Sequence, residues 1–398
     1  MNNSENPPSP GQATGHAKIA VVCAILAGVF ASLVSNSLPV FLAVISRMRG
    51  LDEGQIGLVA MAELGGFAVA IVGCALLPGT LRWLNWRRTV AVGLVVFVVA
   101  NLLASADSSF GTFFAIRCLA GLGAGLVVAI AYAVVGEGDS ARLMAILAGG
   151  MLVSGAVVVQ YLAPLADAYG APGLFGLYAA FGLIGLTLVP FIPRVSCHEN
   201  SAANAVGGSP EQQSVSPEGW LAVSSVFVHF CGIGAVFAFI STMGVAWGGR
   251  TADVDAAVSK MLFSGGFGVA LVAVFGSRFG PMKSLVGSYV GVLLTLLLLL
   301  LLRPVGGFLM VCMLFGFTYN ILVPFQFDVV TRIDPSPAAS MLVSAAMLAG
   351  VAIGPAIAGY LVTPDYLWVN SYGVAGCSLS LVLIVAAFRW KRVRESKH

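Results

Sequence analysis

Charge is what this sequence has least of. Of 398 residues only 9% are Asp, Glu, Lys or Arg, against about 25% in an ordinary soluble domain. That shortage excludes a water-soluble globular fold. Histidine is nearly absent too: there are four, and only His229 falls inside an apolar run. With one such histidine and no close pair of acids, a buried nucleophile-and-base or metal-hydrolase site cannot be assembled, so the chain is not read as an enzyme. The seven cysteines show no metal-ligand spacing and read as small apolar residues. No Gly-Lys-Ser/Thr phosphate cradle occurs anywhere. The glycine-rich "GLGAG" at 121–125 lies within an apolar run and follows no strand. The chain therefore has no ATP site and no cofactor, and an ion gradient is its remaining energy source.

What fills the sequence is apolar: 59% hydrophobic residues and a mean hydropathy of +0.96. Runs near 20 residues recur along its length, as membrane-crossing helices require. "LLTLLLLLLL" at 293–302 has none of the alternation of a barrel strand. The expectation is an all-α polytopic membrane protein with about twelve spans, over 19–44, 55–77, 88–106, 109–134, 143–165, 172–193, 219–246, 254–275, 283–302, 305–327, 337–362 and 366–389. With the N-terminus cytoplasmic, fourteen lysines and arginines fall on the cytoplasmic side. Only Arg47, Arg49, Arg250 and Arg303 fall outside. The positive-inside rule then puts both termini in the cytoplasm, in the cytoplasmic (inner) membrane.

Two polar stretches divide the chain. Residues 1–18 read as a disordered tail without the marks of a signal peptide. Residues 194–218 read as a cytoplasmic linker between six-span halves at 19–193 and 219–389, with a basic tail at 390–398 lying against lipid headgroups. The halves resemble each other. "SGAVVVQYL" at 154–162 aligns with "IGPAIAGYL" at 353–361, and short Gly-containing basic loops follow spans 2 and 8. Duplicated halves with a site between them are a common build of secondary transporters.

These features resemble the major facilitator superfamily over essentially the whole chain. The loop after span 2 keeps Gly79, Leu81, Arg87 and Arg88 of the family signature, with Trp83 where an acidic residue belongs. Its second-half copy keeps Gly276, Arg278, Gly280 and Lys283. Span 4 keeps Arg117 followed by Gly121, Gly123 and Gly125. The Gly-Pro motif that drug antiporters of the family carry in span 5 occurs here in span 11, while span 5 has Ala156 in place of the proline. The resemblance implies a major facilitator fold working by alternating access as a monomer on a small-molecule substrate, with lipid around it and no nucleic-acid partner. It also implies that spans 1, 4, 7 and 10 line the cavity, that a span 4 arginine serves proton coupling, and that Gly79, Arg87, Arg88, Glu137, Arg278 and Asp328 form a cytoplasmic gate.

Arg117 is a permanent charge inside a span. Such charges cost at least ~2.5 kcal/mol and pair or face a cavity. Glu63 in span 2 lies about eight residues into its span, as Arg117 does in span 4, so the two share a depth. One expectation is a permanent ion pair. The other is a proton-coupling pair, with Arg117 in the cavity and Glu63 its switchable partner. His229, near mid-membrane in span 7, is a proton relay, an anion ligand or a packing hydrogen bonder. Lys260 reads as reaching back to the outer interface. The cavity candidates are Asn36, Arg117, Gln160, His229, Tyr319 and Asn320. Two cargoes stay open: proton-coupled movement of a small organic solute, possibly an anion, and proton-driven efflux of lipophilic compounds.

Overall fold

The computed structural model describes residues 10–76, 85–136, 140–193, 214–275, 280–301, 305–362 and 366–396. Among these are thirteen α-helices, one 3-10 turn (Val189–Phe191) and no strand. The helices are α1 (Pro10–Ala31), α2 (Leu33–Asn36), α3 (Leu38–Arg49), α4 (Glu53–Leu76), α5 (Trp86–Ala104), α6 (Phe110–Gly136), α7 (Ser140–Leu188), α8 (Pro217–Ala246), α9 (Thr251–Phe275), α10 (Pro281–Leu301), α11 (Val305–Ile333), α12 (Pro337–Leu361) and α13 (Leu367–Glu395). Ten segments are long and apolar enough to cross a membrane. Two details bring them to the expected twelve crossings, and both have local causes.

The first crossing is α1 to α3 in series. Ser32 Oγ donates to the Val29 carbonyl (2.9 Å), Asn36 Nδ2 to Ser32 (2.9 Å) and Ser37 Oγ to Leu33 (2.6 Å). Such back-bonding competes with the helix ladder and bends it, and Pro39 removes the next donor. The break leaves Ser35 and Asn36 at mid-span. The second detail is α7, whose 49 residues would run about 74 Å at 1.5 Å each, more than twice a hydrocarbon core of ~30 Å. It turns back at Gly170 (φ 65°, ψ −150°), a conformation that favours glycine, with Pro172 starting the return. Spans 5 and 6 are thus joined by a one-residue corner. The loop expected between 165 and 172 does not exist.

Spans 1 to 6 pack as one bundle and spans 7 to 12 as another. The bundles meet where span 2 touches span 11, span 5 touches span 8 and span 1 touches span 7. These contacts lie at the end opposite the termini. Gln160 Nε2 of span 5 donates to Ser259 Oγ of span 8 (3.1 Å), which donates to the Ala156 carbonyl (2.8 Å). Spans 2 and 11 come to backbone contact: a side chain at Gly359 would meet the Glu53 carbonyl at 2.6 Å, and one at Gly57 would collide with the carbonyl of Pro355. The span 11 "IGPAIAGYL" motif therefore forms half of this seam. Replacing Gly359 with leucine should wedge the seam apart. Labels on the two halves at that end should then read a longer distance than in the wild type.

At the other end the second bundle is tied to itself. Asp334 accepts from Ser216 N (2.7 Å), Ser216 Oγ (2.8 Å) and Ser336 N (2.9 Å), while Ser216 and Ser336 cap the helices of spans 7 and 11. Partial burial works against its ionisation. The hydrogen bonds from Ser336 and Ser216 outweigh it and hold the Asp334 carboxyl below the usual range. Its contribution is present above that range and is lost on acidification. Arg394 of the last helix faces Glu218 at 3.4 Å.

Candidate functional site

Between the halves lies a cavity of about 280 Å³. It sits among the middles of spans 1, 2, 7, 8, 10 and 11 and the first half of span 5. Its polar lining is Ser35, Asn36, Tyr319 and Asn320. The rest is apolar or glycine and includes Phe67, Met151, Phe237, Met261 and Phe315. No charged side chain lines it. Asn36 and Asn320 each donate one amide hydrogen to their own helix, Asn320 to Gly316 at 2.8 Å. Among the described residues their side-chain oxygens accept nothing, nor does the Tyr319 hydroxyl make a bond. Apolar walls with a few free polar groups are the usual composition of a small-molecule pocket.

Three of the cavity candidates stand off this space, each for a physical reason. Arg117 is fully buried inside the first half. Its Nε and NH2 both donate to Glu63 Oε2, at 2.8 and 2.5 Å, and NH1 donates to Asn101 Oδ1 at 3.1 Å. The rings of Phe41 and Phe175 lie 5.4 and 5.6 Å from its guanidinium carbon. The pair expected from equal depth therefore forms, with three donors committed to two neighbours. Glu63 is also fully buried, and its Oε1 accepts no hydrogen bond among the described residues. Spans 2 and 4 approach this closely because a side chain at Gly121 would collide with the Glu63 carbonyl. Glycine there lets backbones touch and sets the depth of both charges. Asn101, the third member, was not weighed in the sequence. Its signal was a lone amide in the apolar run "VVANLLA".

His229 is buried behind Tyr319, not in the cavity. It packs its ring near Phe230 (5.2 Å), Tyr289 (5.4 Å) and Tyr319 (6.4 Å), and neither ring nitrogen has a partner among the described residues. Beside it a neutral chain crosses the second half. Gln326 Nε2 donates to the Tyr289 hydroxyl (2.8 Å), which lies 2.6 Å from Ser380 Oγ, itself a donor to the Ser225 carbonyl. The first half thus holds an ion pair at its centre and the second half a string of neutral groups. Gln160 is drawn into the seam by Ser259 instead of facing the cavity.

The gate candidates divide. Gly79, Glu137 and Arg278 lie outside the described residues. Arg87 Nε donates to the Ile192 carbonyl at the end of span 6 (3.0 Å), Arg88 is exposed, and Asp328 pairs with Arg332 one turn along its own helix (2.9 Å). None of these three bonds across the halves among the described residues. Lys260 is exposed on the outside of the bundle.

Comparison with known proteins adds the name of the architecture. The Major Facilitator Superfamily profile matches residues 23–347. The chain belongs to the Major Facilitator Superfamily. It is a multi-pass membrane protein of that superfamily. Among its relatives in this superfamily is the multidrug resistance protein MdtL of Escherichia coli O6:K15:H31 (strain 536 / UPEC). The two are 26% identical over 202 residues, 49% of each chain, so the matched region spans about half the length of that relative. An uncharacterized MFS-type transporter, YbcL of Bacillus subtilis (strain 168), is 24% identical over 318 residues, 75% of this chain and 79% of YbcL.

Proposed function

We propose that this transporter exports small apolar or amphipathic organic solutes across the cytoplasmic membrane in exchange for protons. The observation that carries this reading is the separation of greasy cavity from buried charge. An anion carrier needs a cation in its cavity, and here the guanidinium of Arg117 is engaged by Glu63 and Asn101. What faces the solute is aromatic, aliphatic and thioether surface with a few neutral polar groups. Thioethers and aromatic rings adapt to varied apolar shapes. The name of the MdtL relative supports the same class of cargo.

The proton side rests on Glu63. A carboxylate beside a guanidinium stays charged, and one separated from it in an apolar interior takes a proton. Its unengaged Oε1 is the atom that receives it. Rocking of the halves moves spans 2 and 4 relative to the cavity, and a solute pressing on Leu64 or Phe67 acts on the same helix as Glu63. The lysine and arginine bias puts the termini, and the end remote from the seam, in the cytoplasm. With the seam on the outer side, the cavity loads from within.

The test is accumulation of a labelled panel of lipophilic cations, dyes and small organic acids in cells expressing the chain and in cells carrying empty vector. Lipophilic members should fall below the vector level and recover when a protonophore is added. An organic acid that rises above vector and collapses with protonophore would replace export by uptake. Within the export reading, Phe237→Ala and Tyr319→Ala should reshape the set of exported compounds while leaving expression intact.

A further inference from the structure

A second pocket, of about 420 Å³, lies in the seam at the end opposite the termini. It is built from both halves: Arg47 at the end of span 1, Gln160, Pro164 and Asp167 of span 5, and Thr251 and Asp255 of span 8. Arg47 and Asp167 are exposed, so the pocket communicates with the surrounding solution. Asp255 is different. It is only 6% exposed, and its Oδ1 is buried with no hydrogen-bond partner among the described residues.

Its position couples it to the seam. Asp255 and Ser259 are four residues apart, on one face of span 8. Ser259 is the residue that bonds Gln160 and the Ala156 carbonyl across the halves. Asp255 therefore sits one turn beyond the inter-half bond, at the mouth of the closed seam. The charged groups that reach it from other elements among the described residues are Arg47 of span 1 and Asp167 of span 5, and the buried Ser241 hydroxyl approaches it from span 7. Just before its helix, Arg250 is already paired with Asp253 at 2.7 Å. Arg47 forms no ion pair within 4 Å among the described residues, so the cation and the two acids face one pocket without being locked together.

We propose that Asp255 is a proton-binding site that controls the outer seam. It is reached from the outer solution through its own pocket and is distinct from Glu63. With the seam shut, one carboxyl oxygen is held away from water and unengaged, and the neutral acid fits that site. When spans 5 and 8 part, water reaches both oxygens and Arg47 is free to approach, and the ionised form fits. Protons supplied from outside therefore favour the sealed state, and their loss favours opening. The site takes only a proton and carries no cargo.

The experiment uses the full chain in lipid nanodiscs without substrate. Distance labels are carried on unnatural amino acids at Met48 and Trp368, on opposite halves at the seam end. Glu63→Gln is the background, so that the carboxyl of the first half contributes no pH response. The open-seam population should fall on acidification, by at most about tenfold per pH unit, the limit for one linked proton. Asp255→Asn should remove the pH response and hold the seam shut, Asp255→Glu should keep a response, and Arg47→Gln should shift its midpoint. An unchanged pH response in Asp255→Asn, or none in the Glu63→Gln parent, overturns the proposal. Should the asparagine variant not fold, Asp255→Ser makes the same test. A failure of solute export in cells would leave this result untouched, because no solute is present.

Discussion

In proteoliposomes loaded with a lipophilic substrate, Glu63→Gln should bring pH-gradient-driven transport down to the level of protein-free vesicles. Substrate exchange without a gradient should persist. The amide oxygen of glutamine can still accept one hydrogen bond from Arg117, so the geometry between spans 2 and 4 is retained. What is lost is the ability to gain and release a proton at a site that both helices share. The Glu63→Asp variant keeps the proton but draws the carboxyl back by one methylene from a guanidinium that holds it at 2.5 and 2.8 Å, and it should retain a reduced, pH-driven rate. Gradient-driven transport at the wild-type rate in Glu63→Gln would remove Glu63 from the coupling step. Attention would then move to His229, the histidine whose ring nitrogens are both unengaged at the centre of the second half.

The second large effect concerns stability. Arg117→Met should lower the thermal unfolding temperature sharply, because it leaves the Glu63 carboxylate buried without its counter-charge. Breaking one partner of a buried pair costs about 3–5 kcal/mol, against total stabilities of about 5–15 kcal/mol. The double variant Glu63→Gln with Arg117→Met removes both charges. It should recover most of the lost stability, since neutral groups of similar volume replace a buried pair at little cost. It should not recover gradient-driven transport. Arg117→Lys should fall between, because a lone ammonium cannot reproduce the planar fork that reaches Glu63 and Asn101 together. If Arg117→Met melts like the wild type, the pair is not under the strain of burial that 0% exposure implies.

These results would separate two roles that the sequence left joined. A structural ion pair predicts that stability and transport fail and recover together in the double variant. A coupling pair predicts that they part. The same logic explains why the uncharged cavity matters. A solute that never touches Arg117 has to act on the pair through the helices that carry it. Gly121 and Gly66, where spans 2 and 4 meet backbone to backbone, are then the positions through which movement reaches the ion pair. Gly121→Val should weaken coupling even though it touches neither solute nor charge.

The sequence by itself determined the solvent, the number of crossings and the family, because each depends on local composition. Twenty apolar residues in a row have few other places to lie, and a charge within them needs a partner at its own depth. That reasoning was enough to bring Glu63 and Arg117 together across 54 residues. It could not find Asn101, since one amide in an apolar run looks like any helix-packing residue until the third helix is placed. It assigned Arg117 and His229 to the cavity because spans 4 and 7 were expected to line it, and Gln160 as a polar residue of the flanking span 5. Which face of a span turns inward is a rotation of about 100° per residue, and packing sets it. The one-residue corner at Gly170 replaced an expected loop because only the φ of 65° reveals the turn. Nothing in the sequence singled out Asp255. It became a distinct site only when span 5 closed over it. Pairing, facing and burial are properties of helices relative to one another, and they were decided by the tertiary structure.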